Sequence, residues 1–492
     1  MKHLKNYLAV IALMIFAQGF SQENVFLKRE FWDTKPTIKT VETKIKEGNN
    51  PAEANSNNFD GVVYATLQNA PFETITFLIS QKGNDVNKLT HDGRTYIFWA
   101  AYKGNVQLVE YLLKNDAITD ITDDKGNTIV NFAASSGQTN TKVYDLCIAY
   151  DKDLVNRTNP NGANALLLAA PFDKDFELTT YFQSKGLDIN SEDNNGNGIF
   201  NYVAKTGNIE LMNALLEKGI KGTNEAFIFA ANGTRGKSNG LKVYKYLESI
   251  GLDSNISNEK GVSPLHILAS RSKDLELINY LLEKGLDPST KDFEGNNAVM
   301  NAASKNDLEV VKTLVENLKT INDSNKNGQS ALSLAVKGNS PDVVEYLINK
   351  GYNTTIVDEK GNNLAYYLIE SYSKRNKDLF SKKMELLKDH KVDLSVVQKN
   401  GYNWYHLAVE KNSLDLLKIA ITMNQDINAK NSEGNTALHL AAMKAQDDLI
   451  LKFLLENDAK KEIVTEFEES AYDLAKENEL LMKNKVSIEF LK

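Results

Sequence analysis

The sequence predicts an all-α solenoid built from a repeated helix–turn–helix unit, and three observations predict it. The first is a period. Turn glycines stand at Gly93, Gly126, Gly162, Gly196, Gly261, Gly295, Gly328, Gly361, Gly401 and Gly434, and the gaps from Gly261 to Gly361 are 34, 33 and 33 residues. A fixed spacing of that length marks a stacked repeat array. The second is a pair of alanines in many first helices, such as Ala100-Ala101, Ala302-Ala303 and Ala441-Ala442, which keeps those helices thin enough to stack closely. The third is a run of adjacent apolar pairs one turn apart in the second helices, as at Leu277, Ile278, Leu281 and Leu282, a broad stripe for burial between neighbours. A solenoid grows along one axis, so 492 residues need not divide into several globular domains.

The chain opens outside this pattern. Lys2 and Lys5 precede an apolar run from Tyr7 to Phe16, and Ala17-Gln18-Gly19-Phe20-Ser21 supplies small residues for cleavage. The run is too short for a permanent membrane span, so residues 1–21 read as a secretory signal peptide and the protein as exported, periplasmic or secreted. Losing Lys2 and Lys5 moves the formal charge from −8 to −10. A mildly acidic chain with both signs interspersed argues against nucleic acid as a partner. Cys147 is the single cysteine, so no internal disulfide forms, and its apolar setting reads as a small buried hydrophobe.

Residues 22–57 read as an atypical N-terminal capping unit, with apolar Phe26, Phe31 and Trp32 and a helix from Thr37 to Glu47 stopped by Gly48. Residues 58–464 form the repeat array. Second helices end at Gly83, Gly186, Gly219, Gly251, Gly285 and Gly351, where glycine accepts the left-handed conformation, and Asp116, Asn424 and Asp458 take that place elsewhere. One unit has Thr223 in place of its turn glycine, and residues 465–492, with Glu468 there, read as a C-terminal capping unit. Insertions between the two helices fall near Gln138–Lys142, at Asn232–Leu241 and at Tyr372–Ser381, and they map to loops on one face.

The unit Gly-x-Thr-x-Leu-His-x-Ala-Ala, followed by an apolar helix and Gly-x-Asp-x-Asn, resembles the ankyrin repeat. The resemblance is carried by Ser263-Pro264-Leu265-His266, by Thr436-Ala437-Leu438-His439 and by Gly186-Leu187-Asp188-Ile189-Asn190, and it covers roughly residues 58–477 in about a dozen copies. Only Pro264 keeps the family's helix-opening proline. The resemblance implies an all-α, ankyrin-type solenoid of antiparallel helix pairs with projecting β-turn fingers. It further implies a protein-binding scaffold that uses the finger tips and the concave face of the first helices, by analogy of fold.

The residues that could carry chemistry have structural readings. His266, His406 and His439 share one register in separate units, which suits a hydrogen bond at the helix opening and cannot easily converge on one metal. Asp123, Asp193, Asp292 and Asp358, with Asn159, Asn258, Asn325 and Asn431, lie three before the turn glycine, where the side chain bonds its own turn. Asp323–Gly328 lacks the closing glutamate of a calcium loop. With no nucleophile elbow and no phosphate loop, the expectation is a non-enzyme with no cofactor and no metal. Lys374, Arg375, Lys377, Lys382, Lys383 and Lys388 form the one basic cluster and read as a solvated loop and helix face.

What remains is a binding surface for another protein. The residues beside the turn glycines and just past the paired alanines are the candidates: His91, Asp92, Arg94, Tyr102 and Lys103, then Phe172, Phe293, Glu294, Tyr402 and Lys411. Aromatics and arginine are favoured interface anchors. Packing on neighbouring units is the alternative for the aromatics, and Trp99 and Trp404 belong to the core. Two rival functions stand beside the scaffold: a glycan or cell-surface binder using the same aromatics, and a regulator or assembly aid of an exported enzyme.

Overall fold

The computed structural model describes residues 23–234 and 236–492, so residues 1–21, which the sequence reads as a signal peptide, lie outside the described residues. Among these residues the regular structure is helical, and the only strand-like pairs are isolated bridges, such as Ser324 with Ser330, which closes a finger. The chain forms an all-α solenoid in which first helices lie on first helices, as Ala298–Lys305 on Ala331–Gly338, and second helices on second, as Leu275–Glu283 on Leu308–Glu316. It divides into two compact units, one ending at Ala226 and one beginning at Phe227.

The local chemistry explains the elements. Each helix start needs partners for its free N–H groups, and short polar side chains supply them. Asn105 caps Val106–Lys114, Ser263 caps Pro264–Ala269, and Thr436 caps Ala437–Lys444. Ala302, Ala303, Ala441 and Ala442 are buried, and so are Leu277, Ile278 and Leu281. The helix stops behave as read, with Gly285 at φ +91 and Asp116, Asn424 and Asp458 also left-handed.

The histidines act within this frame. In His266 and His439, Nδ1 accepts the backbone N–H of the capping residue, Ser263 or Thr436, while His406 Nδ1 lies 2.6 Å from Asn403 Oδ1 and 3.3 Å from the Asn403 nitrogen. Nε2–H donates to a carbonyl ahead, that of Asn296, Asn435 or Ile463. A ring that accepts at one nitrogen and donates at the other is neutral, and burial pushes all three below the ordinary histidine value. The acids before the turn glycines behave similarly: Asp292 Oδ1 accepts from the N–H groups of Glu294 and Asn296.

Neighbouring units are joined in two ways. Fingers bond to fingers through the backbone, with Lys326 N–H on Glu294 O, Glu359 N–H on Asn327 O, and Ser432 N–H on Asn400 O, each at 2.9 Å. Between the helices, an amide side chain reaches back one unit. Asn306 Nδ2 donates to Ala269 O and Ser272 O, Asn339 Nδ2 to Ala303 O and Asn306 O, and Gln138 Nε2 to Ala101 O and Tyr102 O.

Three expectations change. Thr223 does not turn a finger, because residues 220–225 connect two helices directly where residues 286–297 do so elsewhere; Thr223 instead exchanges hydrogen bonds with Asn201. The Tyr372–Ser381 insertion is not simply a loop. After a 3-10 turn at Lys374–Asn376 its residues open a helix, Lys377–Asp389, longer than its counterparts. Lys383, read as part of a solvated face, is buried in that helix at 3% exposure.

Candidate functional site

The first group of candidate residues gathers on the N-terminal unit. His91 and Asp92 form a 3-10 turn with Gly93, in which Asp92 is left-handed at φ +56. His91 stacks on Phe59 with ring centroids 4.3 Å apart, and its Nδ1–H donates to Asn57 O. Asp92 is paired with Lys125 at 2.6 Å, and the Lys125 hydrogen bond holds its carboxyl below the usual range.

Arg94 does not project from the finger as the sequence suggested. It turns inward to 5% exposure, with Nε and Nη2 both donating to Asp123 Oδ2 and Nη1 paired with Asp92 Oδ2 at 3.1 Å. Its guanidinium lies 4.0 Å from the Phe132 ring centroid. The physical reason is Asp123 on the following finger, a fully covered carboxylate that needs a cation. Arg94 therefore organises the surface from beneath.

Above it runs an aromatic band. Phe59, Tyr64, Trp99, Tyr102 and Phe132 touch in series, with Tyr102 stacked on Phe132 at 5.8 Å. Tyr102 and Lys103 are half-buried, while Trp99 is core, its Nε1–H donating to Thr90 Oγ1. Sequence reasoning missed Phe59, Tyr64 and Phe132. The signal was present for two of them, since Tyr64, Trp99 and Phe132 occupy the same place after their turns. Phe172 stands apart, half-buried on a 3-10 turn, where its ring covers Gly137.

On the C-terminal unit the candidates split. Phe293 is 62% exposed at a finger tip beside Gly261, and Glu294 next to it is exposed. Two further fingers, at Gly328 and Gly361, intervene before Tyr402. Tyr402 and Lys411 are brought together. They line one cleft of about 370 Å³ with Lys360, Tyr366, Glu370 and Glu410, none of which the sequence reading had picked out. The residues lining this cleft come from fingers and first helices, with Lys411 just past the end of Trp404–Glu410. Tyr402 is half-buried, with its ring 5.3 Å from that of His406, and burial raises its hydroxyl above the ordinary value. The rim is a ladder of ion pairs: Lys411 with Glu370 at 2.6 Å, Lys337 with Glu370 at 3.7 Å, and Lys444 with Glu410 at 2.6 Å.

Among the described residues no three His, Cys, Asp or Glu side chains gather as metal ligands, and no helix is long and apolar enough to cross a membrane. Cys147 is buried, which pushes its thiol up to about 12.

Stacked helix pairs, hydrogen-bonded fingers and an aromatic-lined face define a class of protein, the repeat solenoid that presents a surface. The family model for ankyrin repeats, in three copies, matches residues 62–147 and, in overlapping placements, 227–324, 265–358, 299–378 and 373–465. The chain belongs to the ankyrin-repeat family. It is similar to the human transient receptor potential cation channel subfamily A member 1, 23% identical over 402 residues that cover 70% of this chain and 35% of the channel. It is also similar to the phosphocholine transferase AnkX of Legionella pneumophila, 25% identical over 218 residues, or 44% of this chain and 21% of the transferase. The chain thus spans at most 35% of the length of these two relatives. The crystal structure of the human ASB11 ankyrin repeat domain matches 46% of this chain and 97% of its own, at 19% identity and a TM-score of 0.38. Ankyrin repeats generally mediate protein–protein interaction.

Proposed function

We propose that this chain is an exported, non-enzymatic scaffold that binds a partner protein on the face formed by its first helices and fingers. The observation that carries the reading is the cleft at Tyr402 and Lys411. There a half-buried tyrosine and a second ring, Tyr366, are presented among charged side chains most of which, Lys411, Glu370 and Glu410, are already paired. Such a surface offers large rigid rings for burial without requiring unpaired charges to lose water, which is how interface anchors gain affinity. Export rests on Lys2, Lys5 and the apolar run to Phe16.

The test is affinity capture of the tagged protein from its own cells after mild crosslinking, beside a variant carrying Tyr102→Ala, Phe293→Ala and Tyr402→Ala. One protein retained by the parent and lost from the variant supports the reading. Equal recovery by both moves the site away from this face.

A second reading has its own observation. Phe59, Tyr64 and Tyr102 are half-buried rings in one aromatic band on the N-terminal unit, and aromatic rings of this kind suit the apolar faces of sugar rings. Binding to a glycan array that Tyr102→Ala weakens would favour it, and an array without signal would remove it.

A further inference from the structure

A second cleft, of about 460 Å³, opens beside the first and shares Lys411 with it. It is lined by the start of the inserted segment, Tyr372-Ser373-Lys374, by Asn412–Asp415 and Lys418 of the next unit, and by Asp447, Leu449 and Ile450 of the one after. The volume falls in the range of ordinary ligand and peptide sites.

Its charges are not equally available. Asp415 accepts the Tyr372 hydroxyl and lies 3.8 Å from Lys377. Asp447 accepts the backbone N–H of Leu449. Asp415 is thus paired within the protein, whereas Asp447 keeps its charge, and the cations at and beside the cleft, Lys374, Arg375, Lys377 and Lys418, outnumber the two carboxylates. Lys374 and Lys418 are exposed, and among the described residues neither has a carboxylate within 4.0 Å, although after the Tyr372 hydroxyl both act on Asp415 from farther off and help hold its carboxyl low. Arg375, next to Lys374, is exposed and likewise unpaired. Leu414, Leu449 and Ile450 also line the cleft, and Leu449 keeps 57% of its surface open to water.

We propose that this cleft binds an acidic segment of the partner protein, one that seats an aliphatic or aromatic side chain on Leu449 and sets carboxylates against Lys374 and Lys418. The inference rests on the protein-binding reading and adds the chemistry of what is bound. Charge complementarity selects the occupant: the chain as a whole is acidic, so an acidic partner is repelled elsewhere and attracted here. Leu449 gives the contact its anchor, and the unpaired lysines give it sign and salt dependence. The inserted segment, with no counterpart in most units, supplies one wall.

A display library of random peptides of about twelve residues, panned against the purified protein, tests this. The expected winners carry two or more Asp or Glu beside Leu, Ile, Phe or Met. A synthetic winner should lose roughly tenfold or more in affinity against Lys374→Glu/Lys418→Glu. It should also weaken when salt rises from about 50 to about 500 mM. Leu449→Ser, on the exposed surface, should weaken it without altering salt dependence. Neutral or basic winners, or equal binding to the double variant, would overturn the inference. If those winners instead lose binding to Tyr402→Ala, the protein-binding reading stands while this one falls. A library with no winner removes both.

Discussion

Lys383 donates its ammonium to the carbonyl of Val336 at 2.6 Å, and that carbonyl is the one to which other units direct an amide. Val336 lies eight residues past its turn glycine, as do Ala269, Ala303 and Ala101, which receive Asn306, Asn339 and Gln138. In the unit with the insertion, Tyr372 occupies the place of the asparagine. A lysine from the second helix reaches the orphaned carbonyl instead. The contact keeps the two units joined, and it does so with a charge where a neutral amide would serve.

That substitution has an energetic consequence. Burial lowers the Lys383 ammonium to about 8 from 10.5, with no acidic partner to offset it. The folded-state value is depressed, so between about pH 8 and 10.5 the unfolded chain holds a proton that the folded chain does not, and stability rises with pH across that window. Below it the burial penalty is present in full. Lys383→Met removes this penalty but leaves the Val336 carbonyl without its donor, so it should stabilise the protein at neutral pH by about 1–2 kcal/mol. Urea unfolding checks this, and the advantage should shrink as pH climbs toward 10.5. An advantage independent of pH would show that packing, and not charge, decides it.

Arg94 presents the opposite case, a buried cation with a dedicated carboxylate. Arg94→Ala leaves Asp123 covered and without a cation and should destabilise by roughly 3 kcal/mol. Arg94→Lys should recover only part of this, because one ammonium cannot bridge Asp92 and Asp123 as the planar guanidinium does. Arg94→Met with Asp123→Asn should recover most of it. A double variant no better than Arg94→Ala would mean that the ring contacts to Phe132 carry the stability.

These two residues show where reading the sequence stopped. The turn acids, the glycine stops and the capping half of each histidine were legible because each acts on backbone within four residues of itself, as Asp292 does on Glu294 and Asn296, whereas the bonds the histidines send to the next unit were not. Arg94 and Lys383 act on partners 29 and 47 residues away. Nothing local distinguishes them from solvated cations. The candidate cleft was half legible for the same reason. Tyr402 and Lys411 stand at readable places within one unit, whereas Tyr366 and Glu370 reach the same cleft only because the preceding unit lies beside it.

The neutral histidines make the C-terminal unit sensitive to acid. Burial depresses His266, His406 and His439 below 6.5, outweighing the opposite pull of Asp292 on His266 and of Glu410 on His406. Above 6.5 both folded and unfolded rings are neutral, and this contribution to stability is complete. As pH falls below 6.5 the unfolded rings take up protons first, and stability drops by up to about 1.4 kcal/mol per pH unit for each histidine until the folded rings titrate. The urea midpoint should fall between about pH 7 and about pH 5. Replacing all three by glutamine should flatten that fall, and an unchanged slope would assign it to carboxylates instead.

The glycines separate conformation from contact. Gly285 and Gly295 are both left-handed, at φ +91 and +80, so an alanine at either must adopt a strained backbone. At Gly285 a Cβ would meet nothing within 4 Å. At Gly295 it would sit 2.8 Å from the Lys326 nitrogen, the group whose N–H bonds Glu294 O and joins the two fingers. Gly285→Ala should therefore cost about 1 kcal/mol. Gly295→Ala should cost that plus the displaced hydrogen bond, about 2–3 kcal/mol together. Hydrogen exchange discriminates further: only Gly295→Ala should lose protection at the Lys326 amide, because only there does the added methyl stand where the next finger must approach.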